Sequence, residues 1–295
     1  MTITTHVTLP RAHVLLALAV MAVWGSNFVV IKVALTQLPP LLLATLRFSC
    51  AFLPAAFFLK RPDVPWRNLA AYGVLIGAGQ FGLLFIAMKS DITPGLASLV
   101  VQSQVFFTIG LSMWLTGERL KTVQVAALGV ASVGLVIILI NAGGAATPLG
   151  LMLVLGAALS WAGGNMVSRA AGKVDQLAYV VWASVFAVPP LLGFALIFEG
   201  WPAMARGFAD ADMITWAAVI WQAVGNTMFG YGAWGWLLAR HPAATVAPMA
   251  LLVPLFGMGA STLLLGEPLQ AWKIAAALFV LSGLALLMLW PRLRA

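Results

Sequence analysis

Residues 13–35 read HVLLALAVMAVWGSNFVVIKVAL, and this stretch decides the class of fold to which the chain belongs. A helix needs about 20 mostly apolar residues to cross a bilayer, so the stretch predicts a membrane-spanning helix. It is longer than the apolar core of a signal peptide, which has about 7–15 residues, and further apolar stretches follow it. We therefore predict an uncleaved first transmembrane helix.

The composition of the whole chain agrees with a membrane protein. Of the 295 residues, 62% are hydrophobic and 8% are charged, and the mean hydropathy is +1.02. Ordinary soluble domains carry about 25% charged residues, so a water-soluble fold is excluded. The net charge of +8 does not indicate a nucleic-acid partner, because the basic residues stand singly between apolar runs. The lipid bilayer is the predicted surrounding of the chain.

Apolar runs interrupted by charges, Pro or Gly predict ten helices and an all-α integral membrane fold. Most of the predicted connections are short, but a Gly- and Ala-rich link occupies 141–148 and an acidic loop occupies 199–212. The predicted helices are 13–35, 39–60, 68–88, 94–115, 121–140, 149–170, 177–198, 214–238, 243–265 and 270–290.

Lys and Arg residues are unequally divided between the two sides of the predicted bundle. Connections on the side that holds both termini contain 11 of them, and connections on the other side contain 4. Short connections rich in Lys and Arg remain in the cytoplasm. The sequence therefore predicts a multi-pass protein with both termini in the cytoplasm.

The two halves of the sequence resemble each other. Trp24 in the first predicted helix corresponds to Trp161 in the sixth, and GERL at 117–120 corresponds to GEPL at 266–269. A spacing of 149 residues also relates three pairs of small residues, which are Gly110 and Gly259, Ser112 and Ser261, and Gly134 and Gly283. The alternative is that short apolar matches arise by chance.

These matches predict two repeats of five helices, one over 13–141 and one over 149–290. Because five is an odd number, the second repeat enters the membrane upside down relative to the first. Inverted repeats are typical of secondary transporters, since two similar halves of opposite orientation give two states that open to opposite sides.

The predicted spans lack the groups that membrane enzymes and metal sites require. All eight carboxylates and all three His residues lie in connections or at helix ends, and Cys50 is the single cysteine. Intramembrane hydrolysis needs an acid, a His or an activated nucleophile inside the bilayer. The sequence therefore predicts no enzyme activity, no cofactor and no metal site.

Uncharged polar residues lie near the middle of several predicted spans. A side-chain amide in hydrocarbon is costly unless it is hydrogen-bonded or hydrated, so these amides face a cavity or a neighbouring helix. Trp24 and Asn27 share one helix face, which suits a small polar solute that is uncharged or zwitterionic. The predicted substrate-binding residues are Trp24, Asn27, Gln80, Gln102, Asn165, Asn226, Tyr231, Trp234 and Arg47. The alternative for each amide is hydrogen bonding between helices.

Two glutamines in the fourth predicted helix compete for the same role. Gln102 and Gln104 would point about 200° apart on a regular α-helix. The sequence therefore predicts that one of them faces a central cavity, and we favour Gln102.

Arg47 is the one basic residue well inside a predicted span. Either it binds a substrate carboxylate from an aqueous cavity, or it pairs with backbone carbonyls or with Glu267 near the outer end of the ninth helix. Proton-coupled carriers commonly use a carboxylate or His within a span. Since none is found there, Glu118, Glu267 and Arg47 are the candidates for coupling.

Several stretches resemble the EamA-type transporters of the drug/metabolite transporter superfamily. They are WGSNFVVIK (24–32), PPLLLATLRF (39–48), PGLASLVVQSQVFFT (94–108), GERL (117–120), SWAGGN (160–165), GYGAWGWLL (230–238) and VAPMALLVPLFG (246–257). The resemblance implies ten helices in two inverted five-helix repeats. Taken together, the stretches look most similar to the bacterial subgroup associated with export of O-acetylserine and cysteine.

The resemblance implies a function in the bacterial inner membrane. We expect an exporter of small amino-acid-like metabolites that works by alternating access around a cavity between the repeats. The alternatives are a broad exporter of metabolites or aromatic compounds, and a membrane subunit that transports nothing. The expected partner is a small-molecule substrate, and assembly into a homo-oligomer stays open.

Overall fold

The computed structural model describes residues 10–116, 122–141, 143–241 and 246–293, and these residues are helical apart from their connections. An isolated bridge pairs Ile92 with Ala146. The first seven long helices are α1 (Arg11–Ala34), α2 (Pro40–Phe57), α3 (Trp66–Ser90), α4 (Pro94–Leu115), α5 (Thr122–Asn141), α6 (Pro148–Ala170) and α7 (Gln176–Glu199). Each of these seven is long and apolar enough to cross a membrane.

Three further long helices complete the described chain. Helix α8 runs without interruption through Met213–Ile220, Trp221–Phe229 and Gly230–Arg240. Helix α9 comprises Ala247–Leu252 and Val253–Leu265, and α10 is Ala271–Leu293. Shorter apolar segments lie within α9 and α10, at Met249–Leu265 and Ala271–Leu286. The prediction of an all-α membrane protein is confirmed.

The acidic segment 199–212 is not the loop that the sequence predicted. It contains a short helix, Trp201–Asp210, between α7 and α8. Gly200 has a φ of 76°, which ends α7, and Pro202 in the first turn favours a new helix start. Gly207 packs so tightly on Pro39 that a Cβ atom at Gly207 would lie 2.6 Å from its Cδ. The sequence reading missed this helix because it sought apolar runs long enough to cross a membrane, and this amphipathic helix has only 10 residues.

Hydrogen bonds at one end of the bundle join helix starts to helix ends. Nδ1 of His13, at the start of α1, shares a hydrogen bond of 2.7 Å with Nε2 of His241, just after α8. Nδ2 of Asn68, near the start of α3, donates to the carbonyl of Val167 near the end of α6 at 2.9 Å. We call this the Arg11 end, since α1 begins there at Arg11.

The opposite end is held together by Lys and Glu side chains. Nζ of Lys32, at the end of α1, donates to the carbonyls of Met88 and Lys89 at the end of α3, at 3.0 and 2.9 Å. Glu199, at the end of α7, accepts from the backbone N–H groups that start α2, at Leu41 and Leu42. We call this the Glu267 end, because α9 ends there just before Glu267. The long helices therefore alternate in direction along the chain. Each helix of α6–α10 runs opposite to its counterpart in α1–α5.

Helices α5 and α10 pack through two glycines that the sequence comparison paired at a spacing of 149. A Cβ atom at Gly134 would lie 2.8 Å from the carbonyl oxygen of Ala276. A Cβ atom at Gly283 would lie 2.6 Å from the carbonyl oxygen of Ala127. Corresponding positions in the two halves thus make equivalent contacts, and small residues let the two backbones approach closely.

Candidate functional site

A cavity of about 340 Å³ lies between the two five-helix halves. It is bounded by α1, α3 and α4 from the first half and by α6, α7, α8 and α9 from the second half. Ser168, Gln176 and Leu238 in its wall lie in the last or first turns of their helices, so the cavity extends from the bundle centre toward the Arg11 end.

The structure brings eight of the nine predicted site residues into this wall. They are Trp24, Asn27, Gln80, Gln102, Asn165, Asn226, Tyr231 and Trp234. Their contact with a substrate stays a prediction. Within the described part of the chain, the wall carries no Asp, Glu, Lys, Arg or His side chain.

Irregular helix turns build the wall at equivalent places in the two halves. The third helix of each half contains a π-helical segment, Leu75–Gly82 in α3 and Trp221–Phe229 in α8. The fourth helix of each half contains a 3₁₀ segment, Val101–Ser103 in α4 and Ala247–Leu252 in α9. Such segments leave backbone groups less well paired, and within a membrane they are tolerated where they line a cavity or are buried in protein.

Gln102, which we favoured, lines the cavity, but the prediction that only one of the two glutamines can do so is wrong. Gln104 lines the cavity as well. The 3₁₀ segment Val101–Ser103 has about three residues per turn, so residues two apart are separated by about 120° measured the shorter way round, against about 160° in a regular α-helix. Periodicity could not reveal this, because it assumes an even turn throughout the helix.

Asn165 has the interhelical hydrogen bonds that were considered as an alternative to substrate contact. Its Nδ2 donates to Oε1 of Gln104 at 2.9 Å and to Oγ1 of Thr108 at 3.2 Å. These bonds tie α6 to α4 across the two halves. Asn165 therefore joins α4 to α6 in the wall, and the N–H groups of its side chain already donate hydrogen bonds.

Asn27 and Gln80 are in a different situation. Both are buried, and within the described residues Oδ1 of Asn27 and Oε1 of Gln80 have no hydrogen-bond partner. A buried acceptor without a partner costs about 1–3 kcal/mol. Both residues line the cavity, but the two oxygens are themselves covered by neighbouring atoms, so a bound N–H donor reaches them only when these side chains turn.

Aromatic rings also line the wall. The Trp24 ring lies 5.5 Å from the Tyr231 ring and 5.5 Å from the Trp234 ring, measured between centroids. Nε1 of Trp24 donates to the backbone carbonyl of Asn226, in the π segment of α8, at 3.2 Å. Gly230 makes this approach possible, because a Cβ atom there would lie 2.3 Å from Nε1 of Trp24.

Replacing Trp24 by Phe removes this hydrogen bond and keeps a smaller aromatic ring in its place. The free energy of unfolding should fall by at least about 0.6 kcal/mol, the average for an interhelical bond in a membrane, because the smaller ring also loses packing. Solute transport should fall several-fold, because the π segment that carries Asn226 loses its anchor. Trp236→Phe is the matched control, since Trp236 stacks on Arg240 outside the wall. A similar decrease in transport by both variants would contradict this role for Trp24.

Arg47 is placed differently from the prediction. It lies inside α2 and is 1% exposed, but it is not part of the cavity wall. Its guanidinium carbon lies 3.6 Å from the centroid of the Phe81 ring. The proposed pairing of Arg47 with Glu267 is wrong, because Oε1 of Glu267 forms an ion pair with Nζ of Lys273 at 2.8 Å. That lysine is close in sequence and lies at the same end of the bundle.

Several wall residues were absent from the predicted set. Besides Gln104, they include Trp161, Tyr72, Ser168 and Gln176. Trp161 carried a sequence signal, because it corresponds to Trp24 and stands four residues before Asn165. Ser168 and Gln176 lie at helix ends, where polar residues are common, so the sequence did not distinguish them.

Glu118, one of the candidates for coupling, lies outside the described residues. In the ranges that the structure describes, no group of three or more His, Cys, Asp or Glu side chains is arranged to hold a metal ion.

A sequence profile for EamA-like transporters matches this chain twice, over residues 11–140 and 148–289. The chain belongs to the EamA-like transporter family. The resemblance noted from the sequence motifs is thereby confirmed, and the cavity lies between the two EamA-matching segments. An EamA-like transporter resides in a membrane and carries small molecules, so this chain is a multi-pass transporter.

Curated relatives of this EamA-like chain include two from enteric bacteria. A protein of Salmonella typhimurium, described as a probable amino-acid metabolite efflux pump, is 42% identical over 279 residues, which is 91% of this chain and 92% of that protein. One of Escherichia coli with the same description is 40% identical, over 93% and 94% of the two chains. A probable terminal-alkyne amino-acid exporter of Streptantibioticus cattleyicolor is 26% identical, over 90% and 89%.

A solved crystal structure shares the fold of this EamA-like chain. It superposes with a TM-score of 0.65, covering 97% of this chain and 100% of that one. The two sequences are 20% identical, so the likeness supports the architecture and carries no information on the substrate.

Proposed function

We propose that this protein exports small amino-acid metabolites with no net charge across the bacterial inner membrane by alternating access. The observation that carries the proposal is a small cavity whose described wall is uncharged and contains the free amide oxygens of Asn27 and Gln80. Those oxygens can accept hydrogen bonds from an ammonium group. A wall without charged groups favours a zwitterion over a solute with a net charge. The relatives described as amino-acid metabolite efflux pumps support the same class.

The volume of the cavity limits the size of the solute. At about 340 Å³ it lies at the lower end of the usual range for ligand sites, about 300–1,000 Å³. Metabolites of the cysteine pathway, such as cysteine and O-acetylserine, fit this class, and they are our first candidates. No enzymatic step or cofactor is part of the proposal.

The proposed topology places both termini and the Arg11 end in the cytoplasm. The excess of Lys and Arg on that side supports this orientation. The cavity extends toward the same end, so a cytoplasmic solute can enter it in the state described here. The proposed transport units are the two inverted repeats, 13–141 and 149–290.

The experiment uses everted membrane vesicles, in which export appears as uptake. We expect protein-dependent uptake of labelled cysteine or O-acetylserine, with an imposed pH gradient switched on and off to reveal coupling. Lysine and glutamate carry a net charge and should compete at least tenfold more weakly than neutral amino acids. Equal competition by lysine or glutamate, or no uptake of either labelled solute, would contradict the proposal.

A second candidate is a broad exporter of aromatic compounds. The aromatic residues of the wall favour it, and the described chain contributes seven: Trp24, Phe28, Tyr72, Phe81, Trp161, Tyr231 and Trp234. Phenylalanine added to the same competition series separates the candidates. Competition by phenylalanine at least as strong as by cysteine would favour the aromatic-compound exporter.

A further inference from the structure

Arg47 has an environment that is unusual for a charged side chain in a membrane protein. It is 1% exposed and lies inside α2. Within the described residues, its Nε and Nη1 atoms have no hydrogen-bond partner. Its nearest aromatic neighbours are the rings of Phe81 and Phe48, at 3.6 and 5.2 Å from the guanidinium carbon. The guanidinium is therefore covered by rings and is not neutralised by a carboxylate.

A cation in this position is expensive. Arg inside a membrane helix is costly, and such residues usually pair with an anion or a carbonyl. A cation–π contact returns only part of this cost. The described carboxylates lie in connections or at helix ends, and the ion pair found among them joins Glu267 to Lys273. Within the described chain Arg47 therefore has no carboxylate partner, and an anion carried by another molecule can take that place.

A molecule bound in the cavity can supply that anion. Phe81, whose ring covers the guanidinium, is itself part of the cavity wall. The Phe81 ring therefore contacts both the cavity and the guanidinium of Arg47.

The backbone around Phe81 allows the ring to move. Phe81 lies in the π segment Leu75–Gly82, which has an extra residue in its turn. When such a segment shifts by one residue, the side chains in it rotate by about 100° around the helix axis. A rotation of this size would take the ring off the guanidinium and open Arg47 to the cavity.

We propose that Arg47 binds the carboxylate of the substrate, and that the Phe81 ring covers Arg47 until the substrate displaces it. This inference rests on the proposed function and adds to it a free carboxylate as the group that the transporter selects. The amide oxygens of Asn27 and Gln80 take the ammonium group of the same molecule. Arg47 and Phe81 together set the specificity for acids over their esters or amides.

The test measures binding to the purified full-length protein by quenching of tryptophan fluorescence, since Trp24, Trp161 and Trp234 line the cavity. The probes are O-acetylserine and its methyl ester, which lacks the carboxylate and carries a net positive charge. The wild-type protein should bind the free acid at least tenfold more tightly than the ester. Arg47→Gln should remove this preference by weakening acid binding at least tenfold without weakening ester binding, and Arg47→Lys should retain part of it.

Phe81→Leu tests whether the Phe81 ring covers Arg47, and it leaves Arg47 itself in place. It therefore tests the proposal even if the Arg47→Gln variant does not accumulate. It should strengthen acid binding at least threefold relative to ester binding. Phe52→Leu is the matched control, because Phe52 lies in α2, packs on the Trp182 ring and is not part of the cavity wall. It should leave the ratio between acid and ester unchanged.

The outcomes separate this inference from the proposed function. If the wild-type protein binds the acid but Arg47→Gln weakens acid and ester equally, or weakens neither, the inference is wrong and the exporter proposal stands. An unchanged ratio in Phe81→Leu would also overturn it. If the wild-type protein binds neither probe and transports neither cysteine nor O-acetylserine, both proposals fail together.

Discussion

Replacing Gly134 by Leu should prevent α5 and α10 from packing and should greatly reduce the amount of folded protein. A Cβ atom at this position would lie 2.7 Å from Cγ2 of Val280 and 2.8 Å from the carbonyl oxygen of Ala276. Real Cβ atoms do not approach a backbone oxygen this closely, so the helices must separate. Overpacking usually costs about 1–3 kcal/mol, and a clash with backbone lies at the upper end of this range or beyond.

Gly129→Leu is the matched control in the same helix. A Cβ atom at Gly129 would find open space within 4 Å. Fluorescence-detected size exclusion and a thermal unfolding series would measure the difference between the two variants. Gly283→Leu should behave like Gly134→Leu, since it would clash with Ala127 and Ala131 across the same interface. If Gly134→Leu were as stable as Gly129→Leu, the close contact of α5 and α10 would be wrong.

The sequence predicted most of the architecture because the bilayer imposes a simple rule on it. Each span must be apolar over about 20 residues, and this signal is strong enough to survive uncertain boundaries. The structure places the spans within a few residues of the prediction. The segment Trp201–Asp210 was missed because it is a short surface helix, to which that rule does not apply.

The candidate cavity wall could be predicted in part, because polar groups at membrane depth are costly unless they line a cavity or form hydrogen bonds to a neighbouring helix. This argument selected Asn27, Gln80 and Asn226 correctly as wall residues. It could not decide which of them are already hydrogen-bonded. Asn165 is engaged by Gln104 and Thr108, whereas the oxygens of Asn27 and Gln80 are free within the described chain.

Local departures from α-helix geometry explain the other differences. The 3₁₀ segment at Val101–Ser103 places Gln104 in the wall although a regular helix would turn it away. Phe81 lies in the π segment Leu75–Gly82, and its ring covers the guanidinium of Arg47. Such segments depend on packing between helices, and no pattern of apolar residues in one helix specifies them.

Glu267→Ala is expected to destabilise the protein strongly at neutral pH. Glu267 follows α9 and binds the start of α4 by accepting hydrogen bonds from the backbone N–H of Gly95, at 3.1 Å, and from the hydroxyl of Thr93. It also accepts from Ser261 in α9 and pairs with Lys273 in α10. Removing the carboxylate leaves Lys273, which is 3% exposed, as a buried cation without its partner. The loss of one member of a buried pair costs about 3–5 kcal/mol.

The double replacement of Glu267 and Lys273 by Ala should recover part of this loss, because it removes the unpaired cation as well. Urea unfolding of the two single variants and the double variant would give the coupling energy directly. Asp210→Ala is the control, since Asp210 is an exposed carboxylate in the connection between α7 and α8. It should change the free energy of unfolding by less than about 0.5 kcal/mol. Additive single effects would show that Glu267 and Lys273 do not stabilise each other.

The effect should depend on pH in a defined direction. Burial raises the pKa of Glu267, but hydrogen bonds from Lys273, Ser261 and Thr93 outweigh it and hold that pKa below its ordinary value of 4.5. The carboxylate therefore contributes its full stability above that ordinary value, and the contribution is lost as the pH falls through the lower pKa of the folded state. The difference in stability between wild type and Glu267→Ala should be largest at neutral pH and should shrink in acid. A difference that grew toward acid would mean that the folded protein holds Glu267 protonated, which would make it the kind of group that binds and releases a proton during transport.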